Sequence, residues 1–185
     1  MRPTSIVLAL LVAPAPAAAA QQQGGFAWKL NDRSAPPNTA QATKDGFGAM
    51  MLVTSDYEGF WKAWEGAAPP QVGTTEQVTR EQPVHAMLLF SGCRAGADGN
   101  CNVTVELAVT GPAGKPYGET LKGNAWSGPP APAYSLQLAE SSLGFILEPH
   151  DPLGTYTLKA TVTDKVAGTT LSVQQAVTAV AGAGD

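Results

Sequence analysis

The chain has 185 residues, with 11 Lys and Arg against 15 Asp and Glu, for a formal net charge of −4. Such a surface repels phosphate backbones and acidic headgroups, which argues against nucleic acid and anionic membranes as partners. Only two cysteines are present, Cys93 and Cys101.

Residues 1–20 read as a secretory signal peptide. A weakly basic start is followed by an unbroken apolar run over 6–12, and Ala18, Ala19 and Ala20 supply the small-residue cleavage pattern before Gln21. The run is far short of the roughly 20 residues needed to span a bilayer. No second apolar segment follows, so the mature chain is expected to be periplasmic or secreted, with no membrane insertion. Without residues 1–20, which hold Arg2 and no acidic residue, the balance becomes 10 basic against 15 acidic. The remaining 165 residues suit one domain. In an exported chain, two cysteines most simply form one disulfide, Cys93–Cys101.

Residues 21–46 are polar and rich in Gln, Asn, Pro and Ala, and read as a flexible lead-in, although Phe26, Trp28 and Leu30 alternate within it. Residues 47–54 form an uncharged apolar run, a buried strand. A helix is expected near 56–65: Ser55 serves as N-cap, with Glu58 completing a capping box. At about 100° per residue, Tyr57, Phe60, Trp61 and Trp64 fall on one stripe. Their area argues for docking onto the sheet, leaving Glu58, Lys62 and Glu65 in water.

Residues 76–80 are a short strand candidate ended by Pro83. Residues 84–91 are apolar on both faces, as in a strand covered on both sides. Residues 93–101 form a loop with a turn at Asp98-Gly99-Asn100. Residues 102–110 alternate, with Val103, Val105, Leu107 and Val109 inward. From 115 to 133 the pattern weakens around Trp126, which reads as a loop-rich crossing between sheets. Residues 135–138 and 143–147 are two further short strands.

The clearest pattern comes last. Tyr156, Leu158, Ala160 and Val162 point one way and Thr155, Thr157, Lys159, Thr161 and Thr163 the other, the period of a half-buried antiparallel strand. Residues 164–168 read as a hairpin loop. Leu171, Val173, Val177 and Ala179 resume the inward row, and Gln175 interrupts it as a candidate bulge. Residues 181–185 are expected to be a disordered tail. These segments predict an all-β, antiparallel sandwich of about seven to eight strands with one short N-terminal amphipathic helix, spanning 47–180 as one domain.

Asp151, Gly154 and Tyr156, followed by Leu158, resemble the corner before strand F of immunoglobulin-like domains, where the Tyr hydroxyl bonds back to the preceding turn. Leu158 stands where antibody domains carry a Cys. Residues 109–117 and 152–160 are together similar to the macroglobulin-type sandwich of bacterial envelope proteins. The likeness spans about residues 75–180. It implies a fold and carries over no catalytic or binding residue.

Little else points to chemistry. His85 and Met87, with Met50 and Met51 in another strand, offer the soft and imidazole ligands of a copper carrier, but Met in an apolar strand is ordinarily packing. His150 lies in a turn and reads as solvated. The Asp98-Gly99-Asn100 turn lacks the Gly and bidentate Glu of a calcium loop, with Val103 and Val109 in their places. Asn102-Val103-Thr104 is a glycosylation sequon whose Asn enters a strand. No nucleophile or phosphate-loop motif appears, and no cofactor or metal is implied. The expectation is a non-enzymatic immunoglobulin-like module for protein interaction or structural spacing in the bacterial envelope, its partner an envelope protein. The alternative is a carbohydrate-binding module stacking sugars on Trp126, Tyr134 or the Trp61/Trp64 face.

Overall fold

The computed structural model describes residues 29–30, 33–34, 39–65, 70–133 and 135–182. The signal-peptide reading, Phe26, Trp28, Tyr134 and residues 183–185 lie outside them. Among the described residues no helix is long and apolar enough to cross a membrane.

Two five-stranded sheets face each other, and every pairing but one is antiparallel. The first sheet runs β10 (Leu143–Ile146), β6 (Pro83–Ser91), β4 (Phe47–Thr54), β3 (Gln41–Lys44), with β9 (Gln137–Leu138) also on β6. The second runs β5 (Gln77–Thr79), β12 (Thr169–Val180), β11 (Gly154–Asp164), β7 (Val103–Thr110), β8 (Pro116–Trp126). A two-stranded ladder, β1 (Lys29–Leu30) with β2 (Arg33–Ser34), stands apart from both. The order β4, β6, β10 in one sheet and β7, β11, β12 in the other is that of strands A, B, E and C, F, G in an immunoglobulin-like sandwich.

The core follows from the period of two. β7 buries Val103, Val105, Leu107 and Val109, and β11 buries Tyr156, Leu158, Ala160 and Val162. They meet Phe47, Val53, Val84, Leu88 and Phe90 from the other sheet. Each such apolar side chain removed from water contributes roughly 1.5–3 kcal/mol.

β6 is apolar on both faces because a second layer covers its outside. Helix α1 (Tyr57–Trp64) lies there, and Phe60, Met87, Leu89 and Leu138 form a separate buried cluster. Tyr57, Trp61 and Trp64 pack around it half-buried, with Glu58, Lys62 and Glu65 exposed.

The structure differs from the sequence expectation in several places. The N-cap is Asp56, not Ser55: its carboxylate accepts the Gly59 N–H at 2.9 Å, and its own N–H is held by Thr54 Oγ1 at 3.0 Å. Asp caps at least as well as Ser, and Gly59 leaves room that a Cβ would deny the carboxylate. Residues 41–44, within the expected lead-in, form β3 and pair with β4. Gln175 makes no bulge, because the β11–β12 ladder runs unbroken through Leu158 opposite Gln175.

The stretch 115–133 is the largest correction, since 116–126 is β8, a full strand on β7. It is an edge strand in which only Ala125 is buried, so no apolar alternation marks it. Two irregularities break its register. Residues 118–120 lie between the Val109–Tyr117 and Leu107–Leu121 pairs, with Gly118 at φ +70°, and Ala125 lies between the Thr104–Asn124 and Val103–Trp126 pairs.

Candidate interaction surface

The expected disulfide joins Cys93 and Cys101, with Cα atoms 6.0 Å apart. It closes the loop from β6 to β7, which lie in opposite sheets. Beside it, Asp164 is fully buried, and its carboxylate accepts the N–H groups of Arg94, Val166 and Ala167 at 2.7, 2.9 and 3.0 Å. One side chain therefore fastens the disulfide loop to the β11–β12 hairpin. Sequence reading missed this role, because an Asp entering a hairpin loop reads as a solvated turn residue.

Asp151, Gly154 and Tyr156 come together at the opposite end of β11. The Tyr156 ring is buried and its hydroxyl donates to Pro152 O at 2.9 Å. Gly154, at φ +127°, lies against Pro112. Two residues not singled out in the sequence complete the corner. Tyr117 of β8 donates its hydroxyl to the Asp151 carboxylate and has Ile146 O within 3.0 Å. Arg80 donates from Nε and Nη2 to Asp151 O at 3.1 and 2.6 Å. Desolvation raises the Tyr117 hydroxyl far above the ordinary tyrosine range, and the bond to the Asp151 carboxylate adds to it. These residues hold one another; they tie the β8 edge to the β10–β11 loop rather than present groups to a ligand.

Trp126, which the carbohydrate-binding alternative would use, packs back on its own loop. It is half-buried against the main core, donates its indole N–H to Pro129 O at 2.9 Å, and covers Gly128, where a Cβ would approach the ring to 2.8 Å. The small residue two places on and the following Pro129 were the signal for this fold-back. The copper set is split between two faces: Met51 lies in the main core, whereas Met50 and Met87 lie under α1. His85 stacks on Tyr57 with ring centroids 4.4 Å apart, and burial lowers its pKa. Among the described residues no group of three or more His, Cys, Asp or Glu could hold a metal ion.

What remains open is one side of the sandwich, where β8 ends one sheet and β10 the other. The large apolar side chains most exposed among the described residues include Leu121 on β8, at 46%, and Ile146 on β10, at 49%. Between β9 and β10 the chain crosses over to β8: Glu140 N–H donates to Ala125 O at 2.8 Å and Ser141 Oγ to Asn124 O at 2.6 Å. Below this crossing is a cleft of about 370 Å³, floored by Val105, Leu107 and Leu121.

No family model and no curated protein matches this sequence. Among solved structures the chain is similar to a family 123 glycoside hydrolase from Clostridium perfringens, described for glycolipid glycan hydrolysis. The identity is 7% and the TM-score 0.42, over 72% of this chain and 27% of that one. The chain thus spans well under a third of that enzyme. The neighbour is an enzyme, so the expectation that this chain is not one is corrected and withdrawn. A likeness of this strength carries no activity or substrate to this chain.

Proposed function

We propose that the chain is an exported immunoglobulin-like module that binds protein, its finer kinship being with the macroglobulin-type sandwiches of bacterial envelope proteins. The observation that carries this reading is the distribution of apolar surface. Among the described residues the indoles a sugar would need are engaged: Trp61 and Trp64 pack on the sheet and Trp126 folds onto its own loop. The exposed apolar side chains Leu121 and Ile146 lie instead on the edge strands β8 and β10. Edge strands with unpaired backbone groups and flanking apolar side chains serve protein partners. The disulfide supports an oxidising compartment, outside the cytoplasm or in the periplasm.

The test is photocrosslinking in the native cell, with a photoreactive residue at Lys122 on β8 and, as control, at Lys62 on the exposed side of α1. This reading expects a discrete protein adduct from position 122 and none from 62. Retention on a glycan array, with no adduct from either position, would favour the carbohydrate-binding alternative and overturn the proposal.

A further inference from the structure

The cleft beside β8 has a floor and a rim of different chemistry. Leu107 is 1% exposed, yet its cross-strand neighbour Leu121 is 46% exposed. The difference arises because sheet one stops short here: β9 and β10 both pair with β6, but the residues between them leave it to cross to β8. The crossing is fixed in place. Gly123 lets Ser141 approach so closely that a Cβ there would lie 2.9 Å from its Oγ. The rim is therefore preformed rather than a loop awaiting order.

The charges on that rim do not balance. Lys122 is committed to Glu106 of the neighbouring strand, Nζ to Oε1 at 2.9 Å. Glu140 receives only the amide of Asn124, at 3.0 Å, and meets no cation among the described residues. Ser141 and Ser142 line the same cleft and add hydroxyl acceptors. The opening thus offers apolar surface at its floor and an uncompensated carboxylate at its mouth. About 370 Å³ stands at the small end of the roughly 300–1,000 Å³ of ligand pockets.

We infer that this cleft receives one lysine or arginine side chain of a partner protein, its aliphatic stem laid on Leu121 and its cationic head held by Glu140. Long basic side chains have this two-part character, an apolar stem with a charged tip. A purely aliphatic occupant would leave Glu140 unanswered, and an acidic one would be repelled by Glu140 and by the net negative charge of the chain. The inference deepens the protein-binding reading by naming the anchor that the β8 edge recognises.

The test is an NMR titration of the 15N-labelled, disulfide-intact protein with Nα-acetyl-lysine amide and Nα-acetyl-arginine amide. Nα-acetyl-norleucine amide carries the same stem without the charge and serves as comparison. We expect saturable shifts of the Leu121, Gly123 and Ser141 amides with the basic probes. Binding should weaken about two- to fivefold for the norleucine probe and for Glu140→Gln, the range of a partly exposed ion pair. Glu58→Gln, on the far helix, should change nothing. Equal binding of the norleucine probe, an unaltered response in Glu140→Gln, or shifts spread over exposed carboxylates alike would each overturn the inference. The titration reads the cleft alone, so its failure leaves the protein-binding reading to its own crosslinking test.

Discussion

Tyr117 and Asp151, thirty-four positions apart, are joined by a hydrogen bond from the phenol to the carboxylate. The same Oδ2 accepts the Glu148 N–H at 2.6 Å, and the Tyr117 ring meets Tyr156 edge-on, centroids 5.3 Å apart. One side chain on the edge strand β8 therefore secures the corner between β10 and β11. Tyr117→Phe removes the donor and keeps the ring, so a loss of about 1–2 kcal/mol is expected in urea unfolding. The loss should depend on pH. Desolvation and the Asp151 carboxylate raise the Tyr117 pKa, so folding favours the neutral phenol. That contribution is whole below the unfolded tyrosine value of about 10 and is lost as pH rises above it. The gap between wild type and Tyr117→Phe should therefore narrow from pH 9 to pH 11. A gap that widens would count against this assignment.

Tyr156 tests the corner itself. Its ring is buried and its hydroxyl satisfies Pro152 O. Tyr156→Phe leaves that carbonyl without its donor, at a cost of about 1–2 kcal/mol. Stability unchanged within error would mean that the corner bond contributes nothing to the fold.

Two devices hold the β6–β7 loop, and they should be separable. Cys93–Cys101 encloses a short loop, so chain-entropy reasoning assigns it roughly 2–3 kcal/mol. Asp164→Ala leaves three part-buried N–H donors without their acceptor and should cost about 1–3 kcal/mol even with the disulfide intact. Asp164→Asn keeps one acceptor oxygen and should fall between wild type and Ala. Denaturant melts of wild type and the two Asp164 variants give the order. An Asn variant weaker than Ala would refute the acceptor role.

How far these features could be read from the sequence depends on burial. β11 and β7 have one face in the core and one in water, so Tyr156 to Val162 and Val103 to Val109 announce themselves by alternation. β8 fully buries only Ala125, with Tyr117 and Trp126 half-buried at its two ends, and its register slips twice, so no regular alternation marks it as a strand. The cleft was illegible for the same reason. It exists because Ser141 rests on Gly123 and Asn124, a contact between two unremarkable polar stretches. Cys93–Cys101 could be read as a pair, but not as a link across sheets, because strand pairing had to be known first.

The aromatic face of α1 was legible as a docking stripe, but its energy is uneven. Phe60 is 2% exposed, in contact with Met87, Leu89 and Leu138, while Trp61 and Trp64 lie at the margin of that cluster. Phe60 and Trp64 stack in parallel, centroids 6.4 Å apart, so Trp64 covers Phe60 from the solvent side. Burial decides the ranking. Phe60→Ala opens a cavity in a closed cluster and should cost about 3–5 kcal/mol. Trp64→Ala removes a half-buried cover that water can replace, so its cost should lie below that range. Trp126 is half-buried too, and Trp126→Ala also gives up the indole bond to Pro129, so it should fall near Trp64→Ala. Thermal melts of the three variants check the order. A drop for Trp64→Ala as large as that for Phe60→Ala would place the indole, not the phenyl, at the centre of the dock.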